Sequence, residues 1–180
     1  MKIYVIRHGL VPSNQLKIIN GQSRDESLVE EAIQEVKNAL SNIPQDISRI
    51  YCSDMLRTKQ TADILNEKLN LNISYHPELR EVNFGDLNGK TWSEHNETYG
   101  NELHQSYINQ VYDFHPYNGE SFEDVKSRVI SFINSIKANH SEDESILLVA
   151  HGGIIRLLHN TFKGGPFEPA KNVEIREFTI

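Results

Sequence analysis

Cysteine is nearly absent: Cys52 is the only one in 180 residues. No intramolecular disulfide can form, and a multi-cysteine zinc site is excluded. A reducing cytoplasm is the simplest setting for such a chain. Long apolar runs are also missing. The longest, Ile146 to Ala150, is far too short to span a bilayer. The opening Ile3-Tyr4-Val5-Ile6 reads as a strand rather than a signal-peptide core. Positive charge is in deficit, with 18 Lys and Arg against 25 Asp and Glu, a formal net charge of −7. Such a surface repels nucleic acid and anionic membranes, so neither is expected as a partner. An anionic small molecule would need a locally cationic pocket. There is no low-complexity tract, no internal repeat and no interdomain linker. What remains is the profile of a single globular domain over residues 1–180, 38% hydrophobic and 24% charged.

Strand-like and helix-like patterns alternate along the chain. Ile3–Ile6 reads as a buried strand, followed by a polar loop from Gly9 to about Ser27. Val29, Ile33, Val36 and Leu40 recur at helical spacing, with Pro44 beyond the helix end. Arg49–Cys52 reads as a second strand, and Ala62, Leu65 and Leu69 mark the next helix face. Ile73–His76 reads as a third strand, stopped by Pro77. Residues 88–120 mix aromatics, histidines, acids and amides, and read as a partly helical insertion. Val125, Val129, Phe132 and Ile136 give a clear helical face, with Ser121 as N-cap and Asp124 in the first turn. Ile146–Ala150 is a strand, Ile154–Phe162 a short helix, and Val173–Ile175 a last strand. This order predicts an α/β fold: a three-layer α/β/α sandwich with a mainly parallel central sheet and a small insertion over the active site.

In such sheets ligands bind beyond the carboxyl ends of strands. Three strand ends carry suggestive groups here. They are Arg7-His8-Gly9, Ser53-Asp54 with Arg57, and His151-Gly152-Gly153; Glu81 follows the third strand. Taken singly, each has an ordinary reading as a core histidine, a helix-surface arginine or a loop carboxylate. Together they suit a phosphoryl group. Arginine's planar fork matches phosphate oxygens. A neutral imidazole can attack phosphorus and carry the group covalently. A helix opening at Gly152-Gly153 favours an anion, and a glutamate can protonate the leaving oxygen and then activate water. With cations already neutralising the phosphate, no metal or cofactor is required.

These segments resemble the histidine phosphatases, also called the phosphoglycerate mutase-like superfamily. Arg7-His8-Gly9 with Asn14 resembles the signature loop. Ser53-Asp54-Met55-Leu56-Arg57, continuing to Gln60-Thr61-Ala62, resembles the second-arginine motif. Leu79-Arg80-Glu81 with Phe84-Gly85-Asp86 and Gly89 resembles the segment bearing the acid. Gly119-Glu120-Ser121 and Val149-Ala150-His151-Gly152-Gly153, with Arg156, resemble the last two motifs. The matches run in the family's order over nearly the whole chain. The resemblance implies that His8 becomes phosphorylated. It implies that Arg7, Arg57 and His151 bind the phosphoryl oxygens, with Gly152 beside them. It also implies that Glu81 is proton donor and then base, and that Asn14 adds a hydrogen bond near the phosphate.

Some positions depart from the pattern. Leu10 and Val11 stand where many members carry polar residues, Ser27-Leu28-Val29 replaces a Pro-Leu-Thr stretch, and Ala32 replaces a glycine. Two reactions compete: transfer from His8 to water, or to a second hydroxyl of a phosphoglycerate. The latter needs a carboxylate clamp, yet only Lys90 and Lys126 are basic between Arg80 and Arg128. A phosphatase acting on a small-molecule phosphate ester is therefore expected, with 88–120 as its lid or specificity wall. The acids of that segment suggest a leaving group that is not strongly anionic. A phosphoprotein substrate or a noncatalytic phosphate-binding role is the alternative from another class. The sequence leaves the choice between monomer and homodimer open.

Overall fold

The computed structural model of the chain describes residues 1–165 and 167–180. Its centre is a five-stranded sheet. The strands are β1 (Lys2–Arg7), β2 (Ile47–Ser53), β3 (Ile73–His76), β4 (Ser145–Ala150) and β5 (Ile175–Thr179). Their spatial order is β3-β2-β4-β1-β5. The first four are parallel, and β5 runs antiparallel to β1. β4 sits in the middle and is buried at all six positions. That explains its unbroken apolar run, since a central parallel strand is covered on both faces.

Helices cover both faces. The helices α1 (Pro12–Gln15), α2 (Glu30–Ala39), α3 (Leu56–Leu69), α4 (Trp92–Tyr99), α5 (Glu102–Ile108), α6 (Phe122–Asn139) and α7 (Gly152–Phe162) follow in chain order. Ile3, Val5, Ile146 and Leu148 face Val125, Val129 and Ile133 of α6 and Ile154 and Leu158 of α7. Tyr4, Ile6, Leu147 and Val149 face Val36 of α2 and Ala62 and Leu65 of α3. The alternation of strand side chains thus feeds two cores, and the expected three layers are present. α6 starts in a capping box, in which the Ser121 side chain accepts from the Asp124 N–H and Asp124 reaches back to the Ser121 N–H.

Three expectations need correction. The second helix does not bury Ile33, which is 41% exposed; Ala32, Val36 and Ala39 form its inner stripe instead. Ala32 and Val36 are the small side chains that pack against Gly9, within 3.4 Å of where a Cβ there would stand. The last strand does not begin at Val173, which has φ +57° in a turn; pairing with β1 starts at Ile175. The loop after β1 contains the one-turn helix α1, with Pro12 at its first position. Its four residues are too few for a periodic signal.

Residues 88–120 are partly helical, as read from the sequence: α4, α5 and a 3-10 turn at His115–Tyr117. They are joined by aromatic packing rather than by sheet. Trp92 stacks on His104 at 4.5 Å and Tyr112 on Phe114 at 4.8 Å. Tyr112 and Phe114, with Trp92 and Tyr107 packed on them, are therefore the core of this segment. Among the described residues, no helix is long and apolar enough to cross a membrane.

Candidate active site

Register places the two histidines. Arg7 of β1 pairs with Ala150 of β4, so His8 and His151 leave adjacent parallel strands side by side. Their ring centroids are 5.2 Å apart, and both rings are buried. The His8 Nδ1–H donates to the Gly9 carbonyl at 2.7 Å. A carbonyl can only accept, so in the neutral ring the Nε2 lone pair is left free. Burial holds the His8 pKa well below the usual imidazole value, with the Arg57 and Arg7 charges adding to the effect. His151 is depressed in the same way, first by burial and then by Arg57, His8 and Arg7. Its Nε2 contacts Ser53 Oγ at 2.9 Å, while its Nδ1 is buried with no partner among the described residues.

Arg57 enters from the first turn of α3 and is 2% exposed. Its Nη2 donates to the Gly21 carbonyl at 2.9 Å and its Nη1 to the Arg24 carbonyl at 3.2 Å. Arg7 donates from Nη1 to the Ala170 carbonyl at 2.7 Å, and its Nε is buried without a partner among the described residues. An arginine stays charged inside a protein. Two guanidinium groups therefore bracket a neutral imidazole. Gly152 lies flat beside Arg7: a Cβ there would stand 3.6 Å from the guanidinium carbon.

Glu81 follows the 3-10 turn Pro77–Leu79 and meets the start of α7. Its Oε1 accepts from the Val82 N–H at 2.9 Å and the Gly153 N–H at 3.1 Å. One of the free N–H groups expected to favour a phosphate is thus taken by this carboxylate. Gly153 must be glycine for that contact, since a Cβ would lie 2.3 Å from Oε1.

Arg7, His8, Asn14, Arg57 and Glu81 line one cavity of about 350 Å³. His151 and Gly152 do not line it; they lie behind His8 and Arg7. Residues 88–120 contribute Trp92 and Tyr107 to its wall and none of their acids. Among the described residues, the only carboxylate in the lining is Glu81, against Arg7, Arg57 and Lys17. The pocket is cationic inside an acidic protein, which meets the requirement stated for an anionic ligand.

Several contributors escape a reading of the sequence. Asn172 donates from Nδ2 to the His8 carbonyl at 2.9 Å and to Asn14 Oδ1 at 3.1 Å. Thr61, quoted only as part of a motif, accepts the Gly9 N–H at 3.0 Å and so fixes the loop after the histidine. Lys17 lines the pocket from a left-handed backbone, φ +56°. Arg128 reaches the acid loop from α6, donating to the carbonyls of Glu78, Arg80 and Glu81 at 2.6 to 3.2 Å. It also pairs with Glu120 at 2.8 Å. Spacing carries no signal for Asn172, for Thr61 or for the carbonyl contacts of Arg128, because those partners are distant in sequence. Among the described residues, no three His, Cys, Asp or Glu side chains converge in a way that could hold a metal ion.

The site is a cationic pocket at the carboxyl ends of parallel strands. Comparison with known proteins gives the family. The pattern of the histidine phosphatase superfamily (branch 1) matches residues 3–180. The chain belongs to that superfamily. A probable phosphoglycerate mutase, GpmB, of Shigella boydii serotype 18 is 28% identical over 184 residues, covering all of this chain and 83% of that protein. The mycobacterial glucosyl-3-phosphoglycerate phosphatase in complex with VO3 is 25% identical. It superposes with a TM-score of 0.86 over 98% of this chain and 91% of its own. A phosphoglycerate mutase from Thermus thermophilus, 24% identical, shares the fold with a TM-score of 0.79 over 98% of this chain and 92% of its own. The relatives thus include both mutases and a phosphatase.

Proposed function

We propose that residues 1–180 act as one phosphatase domain that hydrolyses small-molecule phosphate monoesters through a phosphohistidine on His8, with no cofactor. One observation carries this reading: the His8 Nδ1–H is spent on the Gly9 carbonyl, so Nε2 offers its lone pair to a pocket floored by Arg7 and Arg57. In the first step Nε2 attacks phosphorus, the ester P–O bond breaks, and Glu81 in its acid form protonates the leaving oxygen. In the second step Glu81 takes a proton from water, the water oxygen attacks phosphorus, and the P–N bond breaks. Inorganic phosphate leaves and both side chains return to their starting states. Arg7 and Arg57 neutralise the equatorial oxygens throughout, and His151 supports the site from behind His8. Asn14, oriented by Asn172, borders the same oxygens. Residues 88–120 act as the specificity wall.

Water as acceptor is favoured because the wall is poor in cations. Among the described residues, Lys17 is the one positive group in the lining beyond Arg7 and Arg57, and it is exposed. A lone solvated ammonium makes a weak carboxylate clamp. A mutase is the second reading, favoured by Lys17 itself and by the names of the relatives. The cavity is also of small-molecule size, which disfavours a phosphoprotein substrate. The test is a panel of phosphate esters with excess chelator, including 3-phosphoglycerate. Release of inorganic phosphate, with vanadate inhibition, is the expected result. Isomerisation to 2-phosphoglycerate without phosphate release would establish the mutase. Activity lost to chelator would overturn the metal-free chemistry.

A further inference from the structure

Above its charged floor the pocket sets a cluster of apolar side chains beside the polar Ser13, Asn14, Lys17, Asn20 and Asn172. Six large side chains face it: Leu10, Ile18, Ile19, Phe84, Trp92 and Tyr107. They come from two distant stretches of chain, yet they form one wall. An isolated bridge pairs Ile18 with Thr91. The Ile19 N–H donates to the Lys90 carbonyl at 2.8 Å, and the Gly89 N–H to the Ile19 carbonyl at 2.8 Å. Leu10, set apart in the sequence as a departure from the family pattern, supplies apolar surface where a polar group would bind water.

Tyr107 is held in place from several sides. Its ring meets Phe84 at 5.1 Å and lies nearly parallel to Trp92 at 5.9 Å. The Arg156 guanidinium sits over it at 4.7 Å and donates to its carbonyl at 3.3 Å. The wall therefore needs little ordering when a ligand arrives. Two amides of the lining spend their N–H groups inside the protein. Asn20 Nδ2 is shared between Ser13 Oγ at 3.0 Å and Glu26 at 3.1 Å. Asn172 Nδ2 serves the His8 carbonyl and Asn14. Asn20 Oδ1 is the buried acceptor left over among the described residues of the lining. A glycerate or open-chain sugar brings several hydroxyls, and those set against the six apolar side chains would lose water without replacement. A flat ring loses no hydrogen bonds there and gains contact with Trp92 and Tyr107.

We infer, building on the phosphatase reading, that the substrate is the phosphate monoester of an alcohol carrying a flat aromatic ring, and that Leu10, Trp92 and Tyr107 select it. The neutral leaving group expected from the acids of 88–120 follows here from different residues, since those acids stay outside the pocket. The protein has one tryptophan, and it lines the site, so binding can be read by its fluorescence.

The test compares benzyl and ethyl compounds. Both esters release primary alcohols, so a difference reports the wall rather than the leaving group. Titration of Trp92 fluorescence with the non-hydrolysable benzylphosphonate and ethylphosphonate is expected to show about 30-fold tighter binding of the benzyl compound. The kcat/KM values for benzyl and ethyl phosphate should differ by a similar factor, and Leu10→Asn should narrow that ratio. Equal affinity for the two phosphonates would overturn the aromatic wall. Equal kcat/KM for the two esters would also overturn it while leaving the phosphatase standing. Phosphonate discrimination with no turnover of either ester would support the wall and sink the phosphatase reading.

Discussion

The proposed mechanism gives His8 and Glu81 separate tasks, and their surroundings differ accordingly. His8 is kept neutral by burial and two neighbouring guanidinium charges, so its Nε2 lone pair stays available in mildly acidic solution. Glu81 is steered by backbone N–H groups at the start of α7. If Glu81 protonates the leaving oxygen, the need for it scales with that oxygen's basicity. Glu81→Gln should lower kcat/KM by about 10²- to 10⁴-fold for an alkyl phosphate. The loss should be far smaller for 4-nitrophenyl phosphate, whose leaving group needs no proton. Equal losses of kcat/KM on both substrates would show that Glu81 does not protonate the leaving oxygen. At this scale much is legible in the sequence. Arg7, His8, Arg57 and Glu81 lie on one cavity, and His151 stands directly behind it. Asn172 is not legible, because it acts on residues at the other end of the chain.

At the scale of elements, α6 does more than cover the sheet. It projects Arg128 under the loop that carries Glu81. All five of the arginine's hydrogen bonds go to that loop or to Glu120. Lysine has a single nitrogen and cannot reproduce the fork. Arg128→Lys should therefore lower kcat about 10- to 100-fold with little change in KM, since a misplaced acid costs rate more than binding. The far-ultraviolet circular dichroism should stay native. A kcat within about twofold of the parent would show that the loop holds Glu81 unaided. The elements themselves are readable where packing is periodic. β4 announces itself as an unbroken apolar run, and α6 by its stripe and capping box. α1 and the turn at Val173 leave no such pattern, as their backbone is set by Pro12, by a positive φ and by contacts with β1. Periodicity points to the wrong inner face of α2 because Ala32, a weak apolar signal, outranks the larger Ile33. The reason is spatial: Ala32 packs against Gly9, 3.4 Å from where a Cβ there would stand.

At the scale of the whole molecule, a formal charge of −7 surrounds a cationic pocket. Its buried histidines also make stability depend on pH. Burial is the leading cause that holds His8, His76, His104 and His151 below the ordinary imidazole pKa. Unfolded, these groups titrate near about 6.5. Above that pH neither state binds the proton, and the difference contributes nothing. As pH falls below it, the unfolded chain gains protons first, so stability declines toward the folded-state pKa values. The depressed carboxylates Asp54, Asp124 and Glu144 act in the same direction at lower pH, once their unfolded forms protonate. The thermal midpoint should fall between pH 7 and pH 5 in scanning calorimetry. A midpoint that holds or rises over that interval would contradict the buried neutral state of the histidines.

The most direct measurement of the central claim locates the phosphoryl group during turnover. The enzyme is mixed with a phosphate ester, quenched rapidly in alkali, digested, and mapped by mass spectrometry. A single phosphoryl group on the peptide containing His8, stable in alkali and lost in acid, is the expected result. Phosphorylation at another residue, or continued turnover with His8 unmodified, would contradict it.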